Sequence, residues 1–259
     1  MIRNYLKTTF RSLKRNWVYT LINVLGLGIG FSGVIFTYAL FQYEYRFDRH
    51  QQHTDRIYRI NTTRVIQSDV QKWGITPIPL GPEAASATSG IETWCRYGLT
   101  GMLIKYEDDV HSERLFFADT SFFDLFNFPL IEGNHASFKT KNTAIISQDF
   151  ARKYFGDEPA MGKHLDVIMN DSILFNIQVG GILEKIPQNS SFHFDVIVPY
   201  DHAFDIFRLD YNEWSVSVPT VTYVVLNTNV DEGAIEEGLQ PFVDKNNQIL
   251  EDWQVNDFY

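Results

Sequence analysis

The stretch Val18–Phe41, VYTLINVLGLGIGFSGVIFTYALF, carries no charged residue over 24 positions. As a helix rising about 1.5 Å per residue it spans about 36 Å, enough to cross a bilayer with some tilt. Its N-terminal flank holds Arg3, Lys7, Arg11, Lys14 and Arg15, and no acid occurs before Glu44. Basic flanks stay on the cytoplasmic side. Residues 1–16 therefore read as a cytoplasmic basic segment, 17–43 as a transmembrane helix and 44–259 as a domain beyond the membrane. The apolar run is longer than the core of a secretory signal and no small-x-small site closes it, so an uncleaved anchor is expected.

Within the span, Gly26 and Gly30 form a small-xxx-small pair that Gly28, Ser32 and Gly33 widen. Such a face lets another helix approach closely, which a lone tether does not need. Gly26, Gly30 and Gly33 are the expected helix-packing positions. Gly28 to Gly33 also matches GxGxxG letter for letter, but that fingerprint needs a strand before it and free backbone N–H groups, which a membrane helix lacks.

The chain has 259 residues, 22 basic and 32 acidic, so the part after the span carries a net charge of −15. A surface this acidic argues against nucleic acid as a partner, since phosphate binding needs clustered Lys and Arg. Cys95 is the only cysteine, which rules out an intrachain disulfide, and it reads as a small buried apolar residue.

Past the span, Glu44 to Gln51 reads as a polar stalk prolonging the helix, and Arg56 to Ile66 as a strand. Pro77 and Pro79 mark a turn before a short helix over Gly81–Ala87. Ile91 to Phe117 reads as β pieces separated by Gly98, Gly101 and the acidic turn 107–109. Asp119 is the expected N-cap of a helix bearing Phe122, Leu125 and Phe126, and Ser147 that of a second helix ending at Gly156. Alternation over Leu165–Met169 and Ile173–Val179 around Asn170-Asp171 predicts a hairpin. Phe192–Val198 and Thr220–Leu226 read as strands, and a last helix starts at Asp231 with Pro241 as a kink. The expected class is α+β: one N-terminal transmembrane helix, then a mixed domain with helices packed on one side.

No catalytic, cofactor or metal site is expected. Gly156–Lys163 approximates a phosphate loop, but five residues separate its glycines, His164 replaces the Ser/Thr and a helix precedes it. His50 and His53 match no strong metal spacing, and His111 with Glu113 is too isolated to form a catalytic group. Asn61-Thr-Thr and Asn189-Ser-Ser are formal glycosylation sequons.

Read together, several stretches resemble one family. Asn4-Tyr5-Leu6 and Leu21 to Gly30 are similar to the first span of bacterial MacB/FtsX-type ABC transporter permeases. Tyr43 to Asp48 and Asp55 to Arg59 resemble the junction into their periplasmic core domain, in a Bacteroidota-like form. Glu44, Phe47, Asp48, Asp55, Arg56, Tyr58 and Arg59 carry that junction motif. Phe117 to Asp119, Phe122, Phe123, Phe126, Ile146-Ser147, Ala151 to Gly156, Gly162-Lys163 and Asn189 to Phe192 fit the same domain. The resemblance implies an inner-membrane permease without enzymatic activity, driven by a separate cytoplasmic ATPase and working as a dimer. A periplasmic adaptor and an outer-membrane channel serve the efflux members. Family permeases continue into further spans, so the chain reads as an N-terminal fragment or truncated product, which argues against transport by it alone. A signal-anchored periplasmic sensor or binding module is the alternative from a different class.

Overall fold

In the computed structural model, residues 2–48, 51, 56–169, 172–212, 214, 219–228, 230–248 and 254–259 are described. The chain forms two units, one of residues 1–49 with 189–191 and the other of residues 50–188 with 192–259. The first contains helices α1 (Ile2–Arg15) and α2 (Trp17–Tyr45). α2 has a mean hydropathy of 1.9 over its most apolar window, buries none of its side chains, and is long and apolar enough to cross a membrane. It ends at Tyr45, and residues 46–48 are a turn, so the expected helical stalk stops almost as soon as the apolar run does.

The second unit is built on strands β1 (Ile57–Ile60), β2 (Thr62–Ile66), β3 (Asp69–Trp73), β4 (Ile91–Tyr106), β5 (Asp109–Ala118), β6 (Leu130–Gly133), β7 (Thr143–Ser147), β8 (His164–Met169), β9 (Ser172–Leu183), β10 (Val196–Pro199), β11 (Thr220–Leu226) and β12 (Gln254–Phe258). Its helices are α3 (Leu80–Ala87), α4 (Phe122–Leu125), α5 (Gln148–Phe155), α6 (Asp201–Phe207) and α7 (Glu232–Asn247). A single 3-10 turn, His135–Lys139, precedes β7.

β4 is long enough to serve two neighbours along one edge. Its first half pairs with β11, its second half with β8, while β5 lies along the other edge. From β5 the pairing runs through β10, β7 and β9 to β8 and so back to β4, closing a six-stranded ring. Closure leaves those strands without free edges and encloses a core. Met102, Ile104, Leu115, Phe117, Ile146, Leu165, Val167, Ile177, Val179, Val196 and Val198 form that core, joined by Phe150 and Tyr154 of α5 and Ile206 of α6.

The alternate residues of the same strands serve a second cluster, as the twofold strand period requires. Phe116, Ala118, Ile145, Ile197 and Leu183 pack there with Phe122, Phe126, Phe128, Phe138, Phe192 and Phe194. The rings pack at close range, with Phe116 stacked on Phe194 at 4.9 Å and Phe122 on Phe128 at 5.5 Å between centroids. A third cluster sets α3 and α7 against β11 and the three-stranded sheet β12-β2-β3, with Trp214 stacked on Phe242 at 5.9 Å.

Several expectations are corrected. Arg56–Ile66 is two strands in different sheets, divided at Asn61. β4 runs unbroken through Gly98 and Gly101. At Gly98 the glycine answers to packing, because an added Cβ would lie 2.2 Å from the Phe117 ring and 3.0 Å from the Pro219 carbonyl oxygen. Phe192–Asp195 is not strand, since its phenylalanines turn into the aromatic cluster, and only Val196–Pro199 pairs. β12 follows what had read as the last element. The turn expected at Asn170-Asp171 lies outside the described residues, although β8 and β9 pair as expected. Ser147 does cap α5, its hydroxyl accepting from Phe150 N at 3.1 Å, and Gly156 leaves the helix at φ +60°.

Asp119 is not a cap: Ser121 holds that position. Asp119 instead grips the guanidinium of Arg96, which donates from Nη2 at 2.9 Å and Nε at 3.0 Å, with a third bond from Nη1 to the Ile78 carbonyl. The guanidinium also lies 4.2 Å over the Tyr200 ring and 4.9 Å over Trp94. Burial works against the Arg96 charge, but the Asp119 carboxylate outweighs it and holds the proton above the ordinary range. Neighbouring Cys95 is fully buried, and desolvation pushes its thiol well up.

Removing one partner of such a buried pair strands the other charge. Asp119→Ala is expected to destabilise the globular unit by about 3–5 kcal/mol, seen as an earlier midpoint in denaturant melts. Gly98→Ala should cost about 1–3 kcal/mol by overpacking against Phe117.

Candidate functional site

The C-terminus of a helix leaves backbone carbonyls without intrahelical partners, and they must be satisfied by something else. At the end of α2, Phe47 N donates to the Glu44 carbonyl at 3.0 Å, and the Phe47 ring meets Tyr43 edge-on at 5.9 Å. The Arg46 carbonyl accepts from the Asn189 side-chain amide at 2.5 Å. Asp48 then turns the chain at φ +53°, a left-handed conformation that Asp tolerates better than most residues.

The turn aims Asp48 at the same short segment. Its carboxylate accepts from Ser191 N at 2.7 Å and from the Ser191 hydroxyl, while its own N–H donates to the Asn189 carbonyl at 2.9 Å. Residues 46–48 and 189–191 thus form a clasp of four hydrogen bonds, three of them between residues 143 positions apart. Two of these bonds go to an ionised carboxylate and are of the stronger class.

The junction motif is therefore not one site. Glu44, Phe47 and Asp48 belong to the helix exit, and Asp55 lies outside the described residues. Arg56, Tyr58 and Arg59 belong to the globular unit. Arg56 donates to Glu92 at 2.7 Å and to the Leu226 carbonyl at 3.2 Å, tying β1 to β11 and β4. Tyr58 donates to Glu232 of α7 at 2.7 Å, and Arg59 to Asn61 at 2.9 Å. Their work is to lock β1 at the edge of its sheet. Asn189 and Ser191 are the partners that site reasoning missed. Their polar run reads locally as a turn or a sequon, and nothing nearby in the sequence announces a contact so remote.

Along α2, Gly26, Gly28, Gly30 and Gly33 have nothing within 4 Å of where a Cβ would stand. Ser32 returns its hydroxyl to the Gly28 carbonyl at 2.7 Å, which removes a polar group from the surface. The result is a smooth, open, polar-satisfied face. Among the described residues no group of three or more His, Cys, Asp or Glu is placed to hold a metal ion. His50 and His53 lie outside them. Gly156–Lys163 is the connection from α5 to β8, and Lys163 pairs with Glu158 at 2.5 Å.

A family model described as MacB-like periplasmic core domain matches residues 20–242. Solved structures that share the fold include the following three. One is a domain described as belonging to a permease protein from Porphyromonas gingivalis, with TM-score 0.65, 23% identity, and coverage of 82% of this chain and 93% of that one. Another is the periplasmic region of MacB from Actinobacillus actinomycetemcomitans, with TM-score 0.54, 13% identity, and coverage of 78% and 88%. The third is the extracellular domain of the noncanonic ABC-type transporter YknZ from Gram-positive bacteria, with TM-score 0.52, 15% identity, and coverage of 76% and 100%. No curated protein matches the chain.

If the clasp holds the helix exit, Asp48→Ala should release Ser191 N–H. Its hydrogen exchange is expected to rise about tenfold for a lost bond of roughly 1.4 kcal/mol, with the exchange of buried β7 amides unchanged. Protection at Ser191 equal to that of the unaltered chain would show that Asp48 does not hold the segment.

Proposed function

This chain belongs to the MacB-like periplasmic core domain family, and on that premise we propose that it is the N-terminal part of an ABC transporter permease that passes mechanical motion across the inner membrane. α2 spans the bilayer with α1 on the cytoplasmic side, and the globular unit stands in the periplasm. A separate cytoplasmic ATPase supplies the energy, a second copy of the permease completes the assembly, and a periplasmic adaptor with an outer-membrane channel receives the substrate if the system is an efflux pump.

The observation that carries this reading is α2, whose 29 residues bury no side chain and present Gly26, Gly30 and Gly33 as an open face. Lipid can cover most of such a helix, but a smooth glycine face is suited to close contact with another span. The clasp supports the mechanical part of the reading. A rigid helix displaced along or about its axis transmits that displacement only through contacts at its end, and Asp48 with Asn189 and Ser191 supplies directional ones. For coupling in the strict sense, ATP binding must favour one of two global arrangements of the spans.

A binding module acting alone would draw support from a pocket with convergent polar groups. The cavity of about 380 Å³ beside Pro79, Pro82 and Phe242 has Glu83, Ser86, Tyr211 and Asn212 as its polar lining. Glu83 is already paired with Lys245 at 2.5 Å.

Gly30→Leu is expected to weaken association of the full-length chain with partner spans in a membrane two-hybrid assay, by about 0.5–2 kcal/mol or roughly two- to thirtyfold. Association at the unaltered level would reject the packing role of this face.

A further inference from the structure

α1 has two unlike sides. Lys7, Arg11 and Lys14 recur at i, i+4 and i+7, which sets them on one stripe of the helix. Phe10 and Leu13 lie on the neighbouring stripe, exposed along with Trp17, the first residue of α2. Phe10 is 74% and Trp17 63% exposed, which is far too much apolar surface for water. No acid occurs anywhere before Glu44 to neutralise the cations. A strongly two-sided basic helix of this kind is built for a membrane interface.

The helical path breaks at Asn16, with φ −110° and ψ 43°. The break is satisfied locally, because the Thr20 hydroxyl lies 3.3 Å from the Leu13 carbonyl oxygen and 3.1 Å from that of Asn16. At this bend lies a groove of about 780 Å³. Phe10, Leu13, Trp17, Leu21 and Val24 form its apolar walls, and Arg11 and Lys14 stand on its rim. Two cations over an apolar trough that continues along the membrane-crossing helix match one kind of occupant, a molecule with an anionic head and a hydrocarbon tail.

We propose that this groove holds an anionic phospholipid of the leaflet that α1 faces. Arg11 and Lys14 take the headgroup phosphate, and an acyl chain runs along Trp17, Leu21 and Val24. The proposal rests on the reading that α2 spans the bilayer. Charge complementarity favours an anionic over a zwitterionic lipid, since juxtamembrane Lys and Arg are drawn to the negative surface potential of the leaflet. An acidic protein surface would satisfy the two cations but not the trough.

The test uses the full chain in nanodiscs of zwitterionic lipid doped with brominated phosphatidylglycerol or brominated phosphatidylcholine at equal mole fraction. Trp17 emission is isolated by subtracting the signal of the Trp17→Phe chain. Brominated phosphatidylglycerol is expected to quench Trp17 more strongly than brominated phosphatidylcholine. That preference should vanish in R11Q/K14Q and persist in K7Q, whose cation is off the groove. Equal quenching by both lipids in the unaltered chain, or a preference that survives R11Q/K14Q, would overturn the lipid site while leaving the span intact. Loss of the preference in K7Q as well would replace the site by diffuse attraction and so overturn it. Quenching by neither lipid would remove the spanning reading and the lipid site together.

Discussion

Among the described residues nothing buries a side chain of α2. Helices of soluble domains are apolar on a stripe and polar elsewhere, whereas α2 is apolar on every side and keeps no side chain buried. Left in water, such a surface would be far more costly than any contact in the globular unit could offset. A bilayer removes the difficulty, because backbone groups in a helix are already paired and the side chains match the lipid tails. Three further features belong to the same unit: the cations on one flank, the open glycine face, and the attachment of residues 189–191 where the helix ends.

That attachment is chemically distinct from what surrounds it. α2 ends in carbonyls and a left-handed Asp48, and the segment Asn189–Ser191 meets both with an amide, a backbone N–H and a hydroxyl. The globular unit, by contrast, is held by hydrocarbon: a closed ring of six strands around one core, and an aromatic cluster packed on the alternate face of the same strands. Arg96 and Asp119 are one polar exception, paired and hydrogen-bonded as a buried charge must be.

Much of this was legible in the order of residues, wherever one local rule acted alone. An uninterrupted apolar run marks a helix long and apolar enough to cross a membrane, Ser147 followed by the stripe Phe150, Ala151 and Tyr154 starts a helix, and alternation over Leu165–Val179 marks two paired strands. Reading failed where a distant partner outvoted the local preference. Gly98 looked like a break but makes room for the Phe117 ring. Asp119 looked like a cap but serves Arg96. Phe192 and Phe194 alternate like a strand, yet their rings are taken by the aromatic cluster. β12, QVNDF, is too polar to announce itself and exists because β2 offers an edge. The clasp was hidden for the same reason, since the residues that meet Asp48 lie more than half the chain away.

The orientation of the span decides everything else, and the chain offers a clean way to measure it. Cys95 is buried and contributes little background to thiol labelling, so single cysteines can be placed at exposed Ser12 in α1 and exposed Ser112 in β5. In intact spheroplasts a membrane-impermeant maleimide should label Ser112→Cys at once and reach Ser12→Cys only after the membrane is permeabilised. Labelling of both positions in intact spheroplasts, or of Ser12→Cys alone, would contradict a helix that crosses the bilayer with its acidic domain outside.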